Sequence, residues 1–181
     1  MADTEQAPSP WPPWPPWPRP YHYVYAAKFL CGDLKPSERE GPVEPGSYAT
    51  AINVHNPHAH PVAIRKKAIL LYNDERPEEA VERPTPPVQG ERTVVEELGP
   101  DWGLEIDCND IRQVLLRAAT GQPGPRAPVF IKGWVVVETM TDVPLDVVAV
   151  YTTGLLAAGA QAAPPITTDR VPGTRTVLPG F

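Results

Sequence analysis

Tyr21-His22-Tyr23-Val24-Tyr25-Ala26-Ala27-Lys28-Phe29-Leu30-Cys31 is the stretch that decides the fold. Tyr21, Tyr23, Tyr25, Ala27, Phe29 and Cys31 share one parity, opposed by His22, Val24, Ala26, Lys28 and Leu30. Side chains that alternate with a period of two belong to a β-strand, so this run is predicted to be a strand with an aromatic face. Gly32 and residues 33–46, punctuated by Pro36, Pro42 and Pro45, read as a loop.

Downstream the same reading repeats. Residues 47–56 are predicted as a second strand, with Tyr48, Thr50, Ile52 and Val54 on one face and Ala49 and Ala51 on the other. Val62 to Tyr72, Arg92 to Leu98 and Leu104 to Asp107 follow as strands. The stretch 73–90, charged and rich in proline, reads as a long loop. One helix is predicted, about Asp110 to Ala119, with Asp107 or Asn109 as its cap and Ile111, Val114, Leu115 and Ala118 on its apolar side. Val129 to Glu138 and Leu145 to Thr152 are the most hydrophobic segments and rich in β-branched residues, as central strands should be. A last short strand is expected near Ile166 to Val171. The expected fold is all-β: an antiparallel β-sandwich, Ig-like or related, of seven to eight strands with one short helix. Its expected organisation is an arm over 1–20, a domain over 21–172 and a tail over 173–181.

The arm is of another kind. Ser9-Pro10-Trp11-Pro12-Pro13-Trp14-Pro15-Pro16-Trp17-Pro18-Arg19-Pro20 repeats Trp-Pro-Pro with a period of three. A polyproline II helix also has three residues per turn, so Trp11, Trp14 and Trp17 are predicted to form one row, about 9 Å apart. Pro12, Pro13, Pro15 and Pro16 fix φ and offer no backbone donor. Three indoles expose roughly 450–750 Å², as much as or more than the largest apolar patch a soluble monomer leaves bare. A covering surface is therefore expected.

Composition narrows the classes. Proline accounts for 26 residues, eight of them between Pro8 and Pro20, and the dispersal of the rest argues against long helices. The net charge of −6 argues against nucleic acid or an anionic membrane as the main partner. No apolar run reaches the ~18 residues of a membrane span. The opening Met-Ala-Asp-Thr-Glu-Gln has neither a basic nor an apolar leader region, which points to a cytoplasmic product; export by another route, or after leader removal, stays open. Cys31 and Cys108, 77 positions apart, end two strand-like runs and suit either buried free thiols or a bridge.

Several phrases look familiar. Tyr23-Val24-Tyr25-Ala26-Ala27-Lys28-Phe29 with Cys31-Gly32, Tyr48 to Pro57, Leu104 to Cys108 and Leu145 to Tyr151 resemble a family of uncharacterised bacterial β-rich proteins. The resemblance covers about residues 21–172 and omits the arm. It implies a domain boundary at Tyr21 and brings no functional residues with it.

The search for chemistry is thin. His55, His58 and His60 are weak metal candidates, since two imidazoles at a strand end could share an ion. Pro57 and Pro61 bracket them, however, and a solvated turn is the preferred reading. Glu96, Glu97, Asp101, Glu105, Asp107 and Asp110 lack EF-hand spacing. Ser9, Ser37 and Ser47 are the only serines and none sits in a nucleophile elbow. No phosphate-cradling glycine loop is visible. Arg65-Lys66-Lys67 reads as an outward basic patch guarding an edge strand. No enzyme activity and no cofactor are expected.

The expectation that remains is structural. Thirteen polyproline residues, 8 to 20, span about 40 Å, enough to cross a neighbouring domain. The arm, with Tyr21, Tyr23 and Tyr25 continuing it, is expected to dock on a second copy and build a head-to-tail oligomer or filament. The competing expectations are a strap folded back on its own domain, an adaptor for a proline-recognising partner, and a small-ligand or metal-binding sandwich.

Overall fold

In a computed structural model of the chain, the residues described are 21–37, 43–71, 93–117, 129–154 and 165–177. Strand β1 (Tyr21–Leu34) organises them. All but its last three residues lie in one layer: Val24 to Cys31 pair antiparallel with β6 (Ile131–Thr139), and Tyr21 to Val24 pair with β9 (Thr174–Val177). Its last residues, Gly32 to Leu34, pair instead with β2 (Gly46–His55) in the second layer. The first layer is completed by β3 (Val62–Leu70) and β4 (Val94–Leu98), the second by β5 (Gly103–Ile106), β7 (Asp146–Gly154) and β8 (Ile166–Arg170). The order is β4-β3-β6-β1-β2-β7-β8, with β5 paired to β2 and β9 to β1. Every paired strand named here runs antiparallel to its neighbour, and the all-β expectation holds.

Inward positions follow the alternation. Tyr25, Ala27, Phe29 and Cys31 of β1, Val135 and Val137 of β6, Ile64 of β3, Ile52 and Val54 of β2 and Val147 and Ala149 of β7 are buried in one cluster. Fully burying each large aliphatic or aromatic side chain is worth about 1.5–3 kcal/mol. Where β1 crosses between layers its ladder is interrupted, and Thr50 fills the gap. Its Oγ1 accepts the Leu30 N–H at 3.1 Å and its hydroxyl donates to the Leu30 carbonyl at 3.0 Å.

Four expectations are corrected. First, β1 does not stop at Gly32. That glycine has φ 103°, and a Cβ there would lie 2.4 Å from the Val129 carbonyl oxygen. Only glycine accepts both conditions, so the strand passes through the bend. Second, the segment read as a tail from residue 173 carries β9, a ninth strand among the described residues.

Third, the helix starts earlier and winds differently. Asp107 caps it, its Oδ1 accepting the Asp110 N–H at 2.8 Å. The α-helical turn α1 spans Cys108–Asp110 and runs into a π-helical turn, Ile111–Leu115, closed by the Leu116 N–H on the Ile111 carbonyl. The wider turn shifts the phase: Val114 faces outward, while Leu116 joins Ile111 and Leu115 in the core. Ala118 and Ala119 lie outside the described residues.

Fourth, Arg65-Lys66-Lys67 neither lies on an edge strand nor faces one way. Strand β3 sits between β4 and β6. Arg65 and Lys67 point outward to Glu138, whereas Lys66 points inward, buried, with Nζ 2.6 Å from Glu96 of β4.

The cysteines form a disulfide, Cys31–Cys108, with a Cα–Cα distance of 5.7 Å. It fastens β1 to α1. No helix among the described residues is long and apolar enough to cross a membrane.

Candidate docking cleft

Two chain crossings close one end of the sandwich. Residues 140–145 carry the chain from β6 to β7, and Val171-Pro172-Gly173 carry it from β8 to β9, each passing from one layer to the other. A proline borders a strand in each: Pro144 lies two residues before β7 and Pro172 two residues after β8, and neither has the N–H a ladder needs. Between the crossings lies a cleft of about 280 Å³, lined by Tyr23 and Tyr25 of β1, by Pro144 and Leu145, and by Arg170 to Gly173. Its volume lies at the small end of ligand pockets, which run from about 300 Å³ upward.

The floor is aromatic. The rings of Tyr23 and Tyr25 stack with centroids 6.5 Å apart and planes 26° from parallel. Tyr25 is buried, and its Oη accepts the Leu145 N–H at 2.6 Å. Burial pushes the Tyr25 hydroxyl above its ordinary pKa, against the opposing pull of that hydrogen bond. Gly173 passes so close beneath the ring that a Cβ would meet Tyr25 Cε1 at 2.6 Å. The walls are held by ion pairs and hydrogen bonds. Arg170 donates to Asp146 at 2.5 Å, and Arg175 reaches Asp142 through two nitrogens, with Nε 2.9 Å from Oδ1. The hydrogen bond from Arg175 holds the Asp142 carboxyl below the usual carboxylate range. Val171 N–H donates to the Val147 carbonyl at 2.9 Å.

The histidine turn abuts the same crossing. His58 Nε2 lies 2.7 Å from the Pro144 carbonyl oxygen, His55 Nε2 lies 3.0 Å from Asp101, and the rings of His58 and His60 sit 5.5 Å apart. Among the described residues, no group of three or more His, Cys, Asp or Glu is placed to hold a metal. The turn is organised by Asn56 instead, a buried residue that sequence reasoning missed. Its side-chain amide donates to the carbonyls of His60, Gly99 and Leu98 at 2.9, 2.9 and 3.1 Å, and its Oδ1 accepts the His58 N–H at 3.1 Å.

Of the residues singled out from sequence, Tyr23 and Tyr25 meet in the cleft, and Tyr21 is the first residue of β1, in register with Val177. Trp11, Trp14 and Trp17, with Pro12, Pro13, Pro15 and Pro16, lie outside the described residues. Pro144, Arg170, Pro172 and Gly173 were not anticipated; the one available signal was proline at the end of two strand patterns.

No protein-family model matches the chain, and no curated protein matches it. The crystal structure of Thermotoga maritima 1070 is similar over 85% of this chain and 92% of that one, at 11% sequence identity and a TM-score of 0.38. That likeness is too slight to bear on fold or function.

Proposed function

We propose that this chain is a non-enzymatic structural protein that assembles through its arm, residues 8–20 of one copy docking on the domain of the next. The observation that supports this reading is where β1 begins. Its first paired residue is Tyr21, which directly follows Pro20 in the sequence. Trp17 and Arg19 each precede a proline, which disfavours helical backbone at both positions. Pro18 and Pro20 have φ fixed. A proline-stiffened segment loses little conformational freedom on docking, which suits it to a groove on a neighbouring copy. A repeated one-way contact of this kind gives a ring or a filament.

The bridge between Cys31 and Cys108 favours an oxidising compartment over the cytoplasmic expectation drawn from the sequence start.

Sedimentation velocity over a concentration series tests the proposal. The full chain is expected to form species larger than a monomer, and the variant carrying Trp11→Ala, Trp14→Ala and Trp17→Ala is expected to stay monomeric. A full chain that sediments as a monomer throughout would overturn it.

A further inference from the structure

We infer that the free edge of β8 is a joint between two copies of this chain: the two β8 strands pair antiparallel about a two-fold axis at Thr168, so that the second layers of both molecules run on as one sheet. The joint is separate from the arm and goes beyond the assembly reading above.

The edge is open. Strand β8 ends the strand order, paired with β7 on one side and with no strand among the described residues on the other. The bonds that flank it tell which backbone groups are left over. Val171 N–H donates to the Val147 carbonyl, and Thr153 N–H donates to the Pro165 carbonyl. These pairs continue the register of Ala149↔Asp169 and Tyr151↔Thr167. In an antiparallel ladder successive residues turn their N–H and C=O groups to opposite sides. Thr167 and Asp169 therefore serve β7, while Ile166, Thr168 and Arg170 turn theirs to the free side. Such a row is a template for another strand. All five residues of β8 are exposed, Ile166 to 68%, so both faces of the strand are open to an incoming chain.

The strand is complementary to itself, which argues for a second copy as the occupant. With Thr168 opposite Thr168 of the other copy, Ile166 falls opposite Arg170 and Thr167 opposite Asp169, each twice by symmetry. Every residue with free backbone groups then meets another such residue, and each of these pairs exchanges two hydrogen bonds. On one face the aliphatic stem of Arg170 can lie along Ile166. On the other the Thr167 hydroxyl can donate to the Asp169 carboxylate. No like charges stand directly opposite, an arrangement that destabilises a strand pair. The far end of the strand order lacks this property: centred self-pairing of β4 would set Glu96 against Glu96.

Pro165 and Pro172 bracket β8 and have no N–H to extend a ladder, so the joint ends with the strand. A contact between identical surfaces closes at two copies. So short a strand buries little side chain against the cost of association, which makes the joint weak. Free molecules separate in dilute solution, and copies already held together pair.

Cysteine trapping reads a weak joint of defined register. Every sample is the full-length chain with Trp11→Ala, Trp14→Ala and Trp17→Ala, so the arm takes no part. Directly paired Cα atoms, about 4.5–5.5 Å apart, are within disulfide reach. Under the thiol oxidant diamide, Thr168→Cys is expected to give covalent dimer on a non-reducing gel at least tenfold faster than Thr174→Cys, an exposed position on β9. Thr167→Cys and Asp169→Cys are expected to link slowly alone and at least fivefold faster when mixed, because the register sets each opposite the other. All four positions are exposed, and the melting temperature is expected to stay that of the parent. Thr168→Cys linking no faster than Thr174→Cys, or a mixture linking no faster than its parts, rules out the joint. Neither result touches the assembly reading, since the arm is silenced throughout.

Discussion

The phenol oxygen of Tyr25 accepts the amide hydrogen of Leu145 at 2.6 Å across 120 positions of sequence. A residue of the first strand thereby fixes the entrance to the seventh. In Tyr25→Phe the buried amide loses its partner, a loss of about 1–3 kcal/mol. Urea unfolding is expected to show a lower midpoint with an unchanged slope.

The same residue gives stability a pH dependence. Burial raises the Tyr25 hydroxyl above its ordinary value of 10.0, and burial raises Tyr151 and Tyr48 as well. The folded state thus holds these protons more tightly than the unfolded chain. Their contribution is fully present below pH 10 and is lost as pH rises above it. Thermal melts from pH 8 upward are expected to be flat and then to fall beyond about pH 10. Tyr25→Phe should make that fall shallower without abolishing it. A parent protein whose melting temperature rises through this range would contradict the assignment.

Asn56 makes the histidine turn. Asn56→Ala strands the carbonyls of His60, Leu98 and Gly99, and leaves the His58 N–H without its acceptor. An expected loss of about 2–4 kcal/mol follows from leaving more than one buried group unsatisfied. Denaturant unfolding reads it, and His55→Ala, which removes only an exposed pair with Asp101, should cost under about 1 kcal/mol.

How much of this was legible in sequence depended on range. The alternation of Tyr21 to Cys31 is local and gives β1 its face; the helix cap is local too, and Asp107 is one of the two candidates, with Asn109, that the sequence offers. The π-helical turn was not, because an apolar pattern reports spacing and not winding, so Val114 was assigned to the core and Leu116 overlooked. Lys66 was hidden for another reason. Three basic residues in a row look like one patch, although in a strand the middle one must face the opposite way, and its partner Glu96 is set by the β3–β4 register. The cleft was half visible. Tyr23 and Tyr25 stood out, but Pro144, Arg170 and Gly173 join them only through crossings that begin more than a hundred residues later.

The Lys66–Glu96 pair can be tested as a unit. Breaking it with Glu96→Gln leaves a buried ammonium half-compensated and is expected to cost about 1–3 kcal/mol. Replacing both, Lys66→Met with Glu96→Leu, removes the charges together and should recover most of the loss, as buried ion pairs often exchange for apolar contacts without penalty. Denaturation midpoints of the single and double variants decide it; a double variant weaker than Glu96→Gln would show that the pair itself is favourable.

Reduction has its own signature. The Cys31–Cys108 bridge closes a span of 77 residues, and its removal by Cys31→Ser with Cys108→Ser is expected to destabilise by about 2–4 kcal/mol. A peptide map under non-reducing conditions should recover the two cysteines in one linked fragment, and two separate thiol peptides would refute the bridge.

The placement of β1 has a mechanical consequence. Tension applied along this strand would shear the eight residue pairs joining Val24–Cys31 to β6 together rather than unzip them one after another. Beyond them, Cys31 is bonded to Cys108, so a strand that began to slide would be arrested by a covalent stop.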